Sequence, residues 1–212
     1  MHVVLITSML RPVRDATVFS TEQRINQTLK TISTIRDKIP EAHIVMIEGG
    51  HIEPTEKERF SKLVDHLFLT DVTGMTKSPG EGTLLYLYLI SDHFKSLKDV
   101  ETVSKLSGRY YLNEYFNWNS LPLDKTTIGF ISVAWMGQPL YKTRYYRIHK
   151  ARINYFIEGL ARYLKSRECA LSWPDIEHCF YYHNLIKHDE VYSPDKIGVS
   201  GLISGTNECV TD

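Results

Sequence analysis

Cysteine is scarce in this chain. Three occur in 212 residues, Cys169, Cys179 and Cys209, an odd number that offers no disulfide framework in a chain of this length and points to a reducing, cytosolic setting. Long apolar runs are also lacking. The opening segment at residues 2–6 is short and has no basic lead of the kind a signal peptide carries, and no later stretch approaches the ~18 apolar residues of a membrane span. Nor is there an excess of either charge. Twenty-five basic and 25 acidic side chains cancel, with a pI near 7.1, so no global field draws nucleic acid or an anionic membrane, and any anion must be gripped locally. Several short motifs are missing too. Without a CxxC or HxxxH pair, His178, Cys179, His183 and His188 make a poor zinc set. Without GxSxG there is no nucleophile elbow, and neither the P-loop nor the dinucleotide fingerprint occurs.

What is present fits one domain over residues 1–212, with 42% of positions hydrophobic. Residues 2–7 read as a strand buried on both faces of a parallel sheet. Ser20-Thr21-Glu22-Gln23 is a capping-box pattern, and Ile25, Leu29, Ile32 and Ile35 follow at helical spacing until Pro40. Residues 43–48 read as a second strand, 54–64 as a short charged helix and 66–69 as a third strand. A helix is expected over 83–93, strands over 103–106 and 127–135, a long helix over 144–164, and strand or loop in the tail. The expected fold class is α/β: a single Rossmann-like domain with a mixed, mostly parallel central sheet flanked by helices, and an aromatic-rich second half laid over one end.

In such sheets ligands bind beyond the carboxyl ends of the strands. The residues standing there are Thr7, Ser8, Leu10 and Arg11 after the first strand, Glu48-Gly49-Gly50 after the second, Lys77 to Gly82 before the 83–93 helix, and Ser107-Gly108-Arg109-Tyr110 after the fourth. Lys77 to Gly82 puts a cation and backbone N–H groups at a helix start, which suits a diphosphate. It suits an ordinary Pro-Gly turn equally, with Glu81 a favourable first-turn acid. Tyr141 to Arg152 carries five cations and no acid, and reads either as a local anion patch or as a solvated face beside a buried tyrosine stripe. Late in the chain, Asp175 or Glu177 can serve as a general base, or cap a helix starting near Pro174. Aromatics form 11% of the chain. Most belong to packing, and their combination of flat apolar face and polar tip also suits sugars.

The ordered strings ITSMLRP, IEGG, KSPGEG, KLSGRYYL and IGVSGLISGTNE give the chain a resemblance to nucleotide-sugar glycosyltransferases of the type-A fold. Within them it resembles the N-terminal glycosyltransferase domains of larger chlorella-virus enzymes that build capsid glycans. The resemblance implies a hexosyltransferase acting from a UDP-sugar donor on a glycan acceptor in host cytoplasm, with further catalytic domains following in the same chain. It implies that Thr7, Arg11 and Glu48 hold base and ribose, and that Lys77, Glu81, Lys105, Ser107, Gly108 and Arg109 face the diphosphate and sugar. Asp175 or Glu177 is then the base. The family's Asp-any-Asp metal motif, expected after the fourth strand, is replaced by Ser107-Gly108-Arg109. Two arrangements are therefore open: Lys105 or Arg109 neutralises the phosphate charge, or a Mn2+ or Mg2+ ion is held by one carboxylate and the diphosphate oxygens. A non-catalytic nucleotide-sugar or glycan-binding domain is the rival reading. A nucleotidyltransferase ranks last, because no glycine-rich, arginine-bearing loop follows the first strand.

Overall fold

In the computed structural model, which describes residues 1–12, 18–72, 80–131, 139–169, 176–182, 185–203 and 208–211, with the side chains of 130, 131, 167–169, 178, 179 and 182 left aside, β1 (His2–Ser8) lies near the middle of a seven-stranded sheet. Val3 to Ile6 have no solvent exposure, and each such side chain contributes roughly 1.5–3 kcal/mol relative to an exposed one. The capping box at Ser20 is formed and opens α1 (Thr21–Lys38), which ends at Ile39 before Pro40. Then follow β2 (Ala42–Glu48), α2 (Pro54–Ser61) and β3 (His66–Leu69). Next come α3 (Glu81–Leu89), α4 (Asp92–Ser96), β4 (Thr102–Ser107) and β5 (Tyr110–Leu112). The remainder is β6 (Thr126–Ile131), β7 (Leu140–His149), α5 (Ile153–Cys169), α6 (Ile176–Tyr182), β8 (Val191–Tyr192), β9 (Val199–Leu202) and β10 (Cys209–Thr211).

The large sheet has the order β3-β2-β1-β4-β7-β6-β8. β1 pairs in parallel with β2 and β4, β2 with β3, and β6 with β8, while β7 runs antiparallel to both β4 and β6. The architecture is α/β, with a mixed, mostly parallel sheet and a Rossmann-like first half. From β1 the chain winds outward through β2 and β3, then returns to place β4 on the other side of β1. Loops leaving β1 and β4 therefore part in opposite directions, and a crevice opens at this topological switch point. One face of the sheet is covered by α3, α5 and α6, the other by α1 and the small β10-β9-β5 sheet.

The second half differs from the sequence expectation. Residues 144–164 are not one helix: the first part is β7, and α5 starts only at Ile153. Tyr141, Thr143 and Tyr145 alternate with more exposed neighbours, a period of two in β-branched and aromatic residues that belongs to a strand. His149 then accepts the Ala151 amide and turns the chain into α5. The expected anion patch is dispersed as a result. Arg147 is fully buried beside Trp118, Arg152 pairs with Glu190, and Arg144 lies near the Tyr110 ring. The expected 83–93 helix is two helices, because the Ser91 side chain accepts the Phe94 amide and starts α4. The helix at 54–64 stops at Ser61, and the tail contains α6 as well as strands. Of the 127–135 strand, the described part is Thr126–Ile131; residues 132–138 lie outside the described residues.

Candidate functional site at the strand switch point

Thr7 at the end of β1 and Ser107 at the end of β4 are register partners, and both side chains lie on the α3 face of the sheet. Between them sits Glu81, the first residue of α3. Its Oε2 accepts a hydrogen bond from Ser107 Oγ at 3.0 Å and a longer one from Thr7 Oγ1 at 3.4 Å. The third partner is Lys105, two residues earlier on β4, whose Nζ stands 2.5 Å from the same oxygen. Lys105 is 1% exposed and spends its three N–H groups on Glu81, Ser107 Oγ at 2.7 Å and the Thr143 carbonyl at 2.7 Å. Burial pushes this ammonium below the usual lysine value, while the Glu81 carboxylate opposes that shift.

The Thr143 carbonyl reaches Lys105 from an irregularity in β7. Ile128 pairs with Tyr146 and Gly129 with Lys142, so residues 143–145 have no partner on β6. Such bulges re-aim groups beside sites. The Thr143 hydroxyl donates to Glu177 Oε1 at 2.8 Å, which brings the α6 carboxylate to the same cluster. The Tyr146 ring lies 5.7 Å from Lys105 Nζ. Burial, then Glu81 and Glu177, drive its phenol far above its normal value, and its hydroxyl and Glu81 Oε1 are buried with no hydrogen-bond partner among the described residues.

On the α1 face, Glu48 at the end of β2 is completely buried. Its Oε1 accepts the backbone N–H groups of Leu10 and Gly50, each at 3.0 Å, which ties the loop after β1 to the loop after β2. Oε2 has no hydrogen-bond partner among the described residues. Burial raises the Glu48 carboxyl above its ordinary value, opposed by Ser8, the two amides and Arg24. Arg24, in the first turns of α1, donates to the Met9 carbonyl at 2.9 Å. Its guanidinium is lowered first by burial and then by the charge of Arg109. Arg109 is half-buried, packs at 5.5 Å from the Tyr110 ring and makes no hydrogen bond or ion pair with a described residue. Two guanidinium groups thus lie within electrostatic reach at the crevice mouth. Gly108 lies against α1: a Cβ at this position would stand 2.9 Å from Thr28 Oγ1, so only glycine lets β4 end this close to the helix. Thr28, Thr31 and Thr34, spaced by three along α1, stitch the same segment through the Gly108 and Tyr110 carbonyls and the Leu112 amide.

The described side chains do not by themselves make a divalent-cation site. Among the described residues no three His, Cys, Asp or Glu side chains gather as ligands, and Oε2 of Glu81 is already neutralised by an ammonium. A hard cation needs about six oxygens, more than these side chains offer, so a Mn2+ or Mg2+ ion here would draw most of its ligands from the diphosphate and water. Chemically the arrangement can accept an anion at Arg24 and Arg109, hydrogen-bond a polar ligand through Thr7 and Ser107, and take a proton at Glu177.

A solved structure is similar to this chain. It is described as a glycosyltransferase involved in the glycosylation of the major capsid of PBCV-1, with a TM-score of 0.46 and 13% identity over 92% of this chain and 82% of that one. No protein-family model matches the chain, and no curated protein matches it.

Of the residues singled out in the sequence, the fold brings Thr7, Glu81, Lys105, Ser107 and Glu177 into one hydrogen-bonded cluster, with Glu48, Gly108 and Arg109 on the other side of the sheet. Arg11 is engaged elsewhere: its guanidinium grips both oxygens of Glu56 on α2, at 2.6 and 2.7 Å. Lys77, Asp175 and His183 lie outside the described residues. Three contributors escaped the sequence reading. Thr143 carried no signal, because its role depends on the irregular pairing of β7, and Tyr146 stood out only as part of the Tyr141 to Arg152 tract. Arg24 carried a signal, since a cation in the first turns of a helix opposes the macrodipole and calls for a reason.

Proposed function

We propose that this protein is a glycosyltransferase that takes its sugar from a UDP-sugar and passes it to a glycan hydroxyl. The observation that carries the reading is that the charges of Arg109 and Glu177 both reach the buried Lys105 at the switch point, with the Arg24 guanidinium within electrostatic reach of Arg109. An anionic leaving group and a proton acceptor are what glycosyl transfer requires at its two ends. The acceptor oxygen forms a bond to the anomeric carbon as the bond from that carbon to the diphosphate oxygen breaks. The electron pair departs with UDP, and the hydroxyl proton passes to Glu177. Arg109 stabilises the charge that develops on the diphosphate. Lys105, with its three N–H groups committed inside the protein, does not touch phosphate. It positions Glu81 and Ser107, which with Thr7 face the donor sugar. Glu48, with one oxygen committed to the loops, keeps the other for the nucleoside.

Calorimetric titration with a panel of UDP-sugars and GDP-mannose, combined with detection of released UDP or GDP, tests the reading. Micromolar binding of one UDP-sugar with slow UDP release is the expected result. Binding without any release, with or without acceptor glycans, favours a non-catalytic nucleotide-sugar module instead; absence of binding by every nucleotide sugar overturns both.

A further inference from the structure

A second concavity of about 370 Å³ lies beside α6 and is lined by Tyr141, Tyr181, His188, Val191 and Ser193. We infer that it binds one neutral pyranose ring of the acceptor, an assignment that rests on the glycosyltransferase reading for its purpose but on the pocket itself for its chemistry. The volume falls at the small end of the ~300–1,000 Å³ of small-molecule sites. A pyranose presents flat C–H faces and a rim of hydroxyl groups. The pocket answers both. Tyr141 and His188 lie parallel within 7°, centroids 5.7 Å apart, and the Tyr181 ring stands 4.9 Å from His188. A hydrogen bond between the Tyr141 hydroxyl and His188 Nδ1 at 2.7 Å, with His188 Nε2 at 3.3 Å from the Tyr181 carbonyl, locks these walls before any ligand arrives, so little conformational entropy is lost on binding. Ser193 supplies a hydroxyl for the rim. No Lys, Arg, Asp or Glu is among the described lining residues, which suits a neutral ring better than an anionic one.

Position links the pocket to the reaction. Tyr181 is four residues from Glu177 on α6, hence one helical turn, ~6 Å, along the same helix face. Tyr141 is two residues from Thr143, the residue that holds Glu177. A ring seated here therefore lies about one helical turn from the carboxylate that takes the acceptor proton.

Ligand-observed saturation-transfer NMR with the methyl glycosides of glucose, galactose, mannose and xylose tests the assignment on the wild type, Tyr181→Ala and Tyr181→Phe. At least one glycoside should bind in the millimolar range. Tyr181→Ala should weaken it about fivefold, the worth of one aromatic wall, and Tyr181→Phe, which keeps the ring, should stay within about twofold of the wild type. Tyr181→Phe also guards against misfolding of the alanine variant. The assignment is overturned if no glycoside binds at 50 mM, on the order of ten times a weak dissociation constant, if Tyr181→Ala binds as the wild type does, or if uridine displaces the sugar. UDP-sugar binding measured on the same samples separates the two readings. Nucleotide binding without glycoside binding removes the pocket alone, and glycoside binding without nucleotide binding removes the transferase reading and leaves the pocket.

Discussion

Lys105 and Glu81 form an ion pair, 2.5 Å from Nζ to Oε2, inside the crevice where the chain reverses its winding, with the lysine 1% exposed. Each partner justifies the burial of the other, and the pair pins the start of α3 to the end of β4. Its main consequence is positional: it fixes Ser107 and Thr7 around one carboxylate oxygen.

Breaking that pair from one side should cost more than removing both partners. Glu81→Gln leaves a buried ammonium short of its counter-ion and is expected to lower stability by about 3–5 kcal/mol, whereas Lys105→Met with Glu81→Gln should lose less than the sum of the single changes by at least ~1 kcal/mol. Urea denaturation of the four proteins gives the coupling directly; strict additivity would show that the contact contributes nothing.

Arg109 makes no hydrogen bond or ion pair with a described residue, so Arg109→Ala should leave the melting temperature unchanged. UDP affinity should fall by about 10- to 100-fold, the worth of one charge-assisted hydrogen bond. Calorimetry with UDP checks the second expectation and thermal denaturation the first.

Glu177→Gln preserves the size of the side chain and an acceptor for the Thr143 hydroxyl but cannot take a proton. Turnover should drop by about 10²–10⁴-fold while the donor dissociation constant stays within error. A variant with unaltered turnover would assign the proton to another group.

Far from the crevice, His66 and His93 stack with centroids 3.5 Å apart at 7°, and His43 stacks on His93 at 6.1 Å. Burial, then the neighbouring histidine charges, lowers both His66 and His93 from 6.5. The folded protein therefore binds these protons less readily than the unfolded chain, and the contribution is present above pH 6.5 and lost as pH falls through the depressed folded values. His2, also lowered by burial, acts in the same direction, and Glu48, raised by burial, in the opposite one. Unfolding free energy should fall between pH 7.5 and 5.5, and the fall should be smaller in His93→Phe, which keeps a ring but loses the contact with the Tyr88 hydroxyl at 3.1 Å. Equal slopes for the two proteins would exclude the stack as the cause.

Local chemistry made much of the first half legible. The apolar runs of β1 and β2, the Ser20 capping box and Pro40 decide structure within a few residues, and parallel pairing follows from strand–helix alternation. The residues at the strand ends could be picked out because an α/β sheet always presents its carboxyl edge to ligands. Tertiary structure alone decided what those residues do. Arg11 is equally well placed in the sequence to grip an anion, yet Glu56 on α2 comes within 2.6 Å and claims it. Lys105 turns inward only because the three unpaired residues of β7 swing the Thr143 carbonyl towards it. Glu81, Thr143 and Glu177 are separated by dozens of positions and meet only once α3, β7 and α6 pack on one face. Propensity and periodicity act over one or two turns of chain, whereas the partner of a charge is set by which distant element the hydrophobic core brings against it.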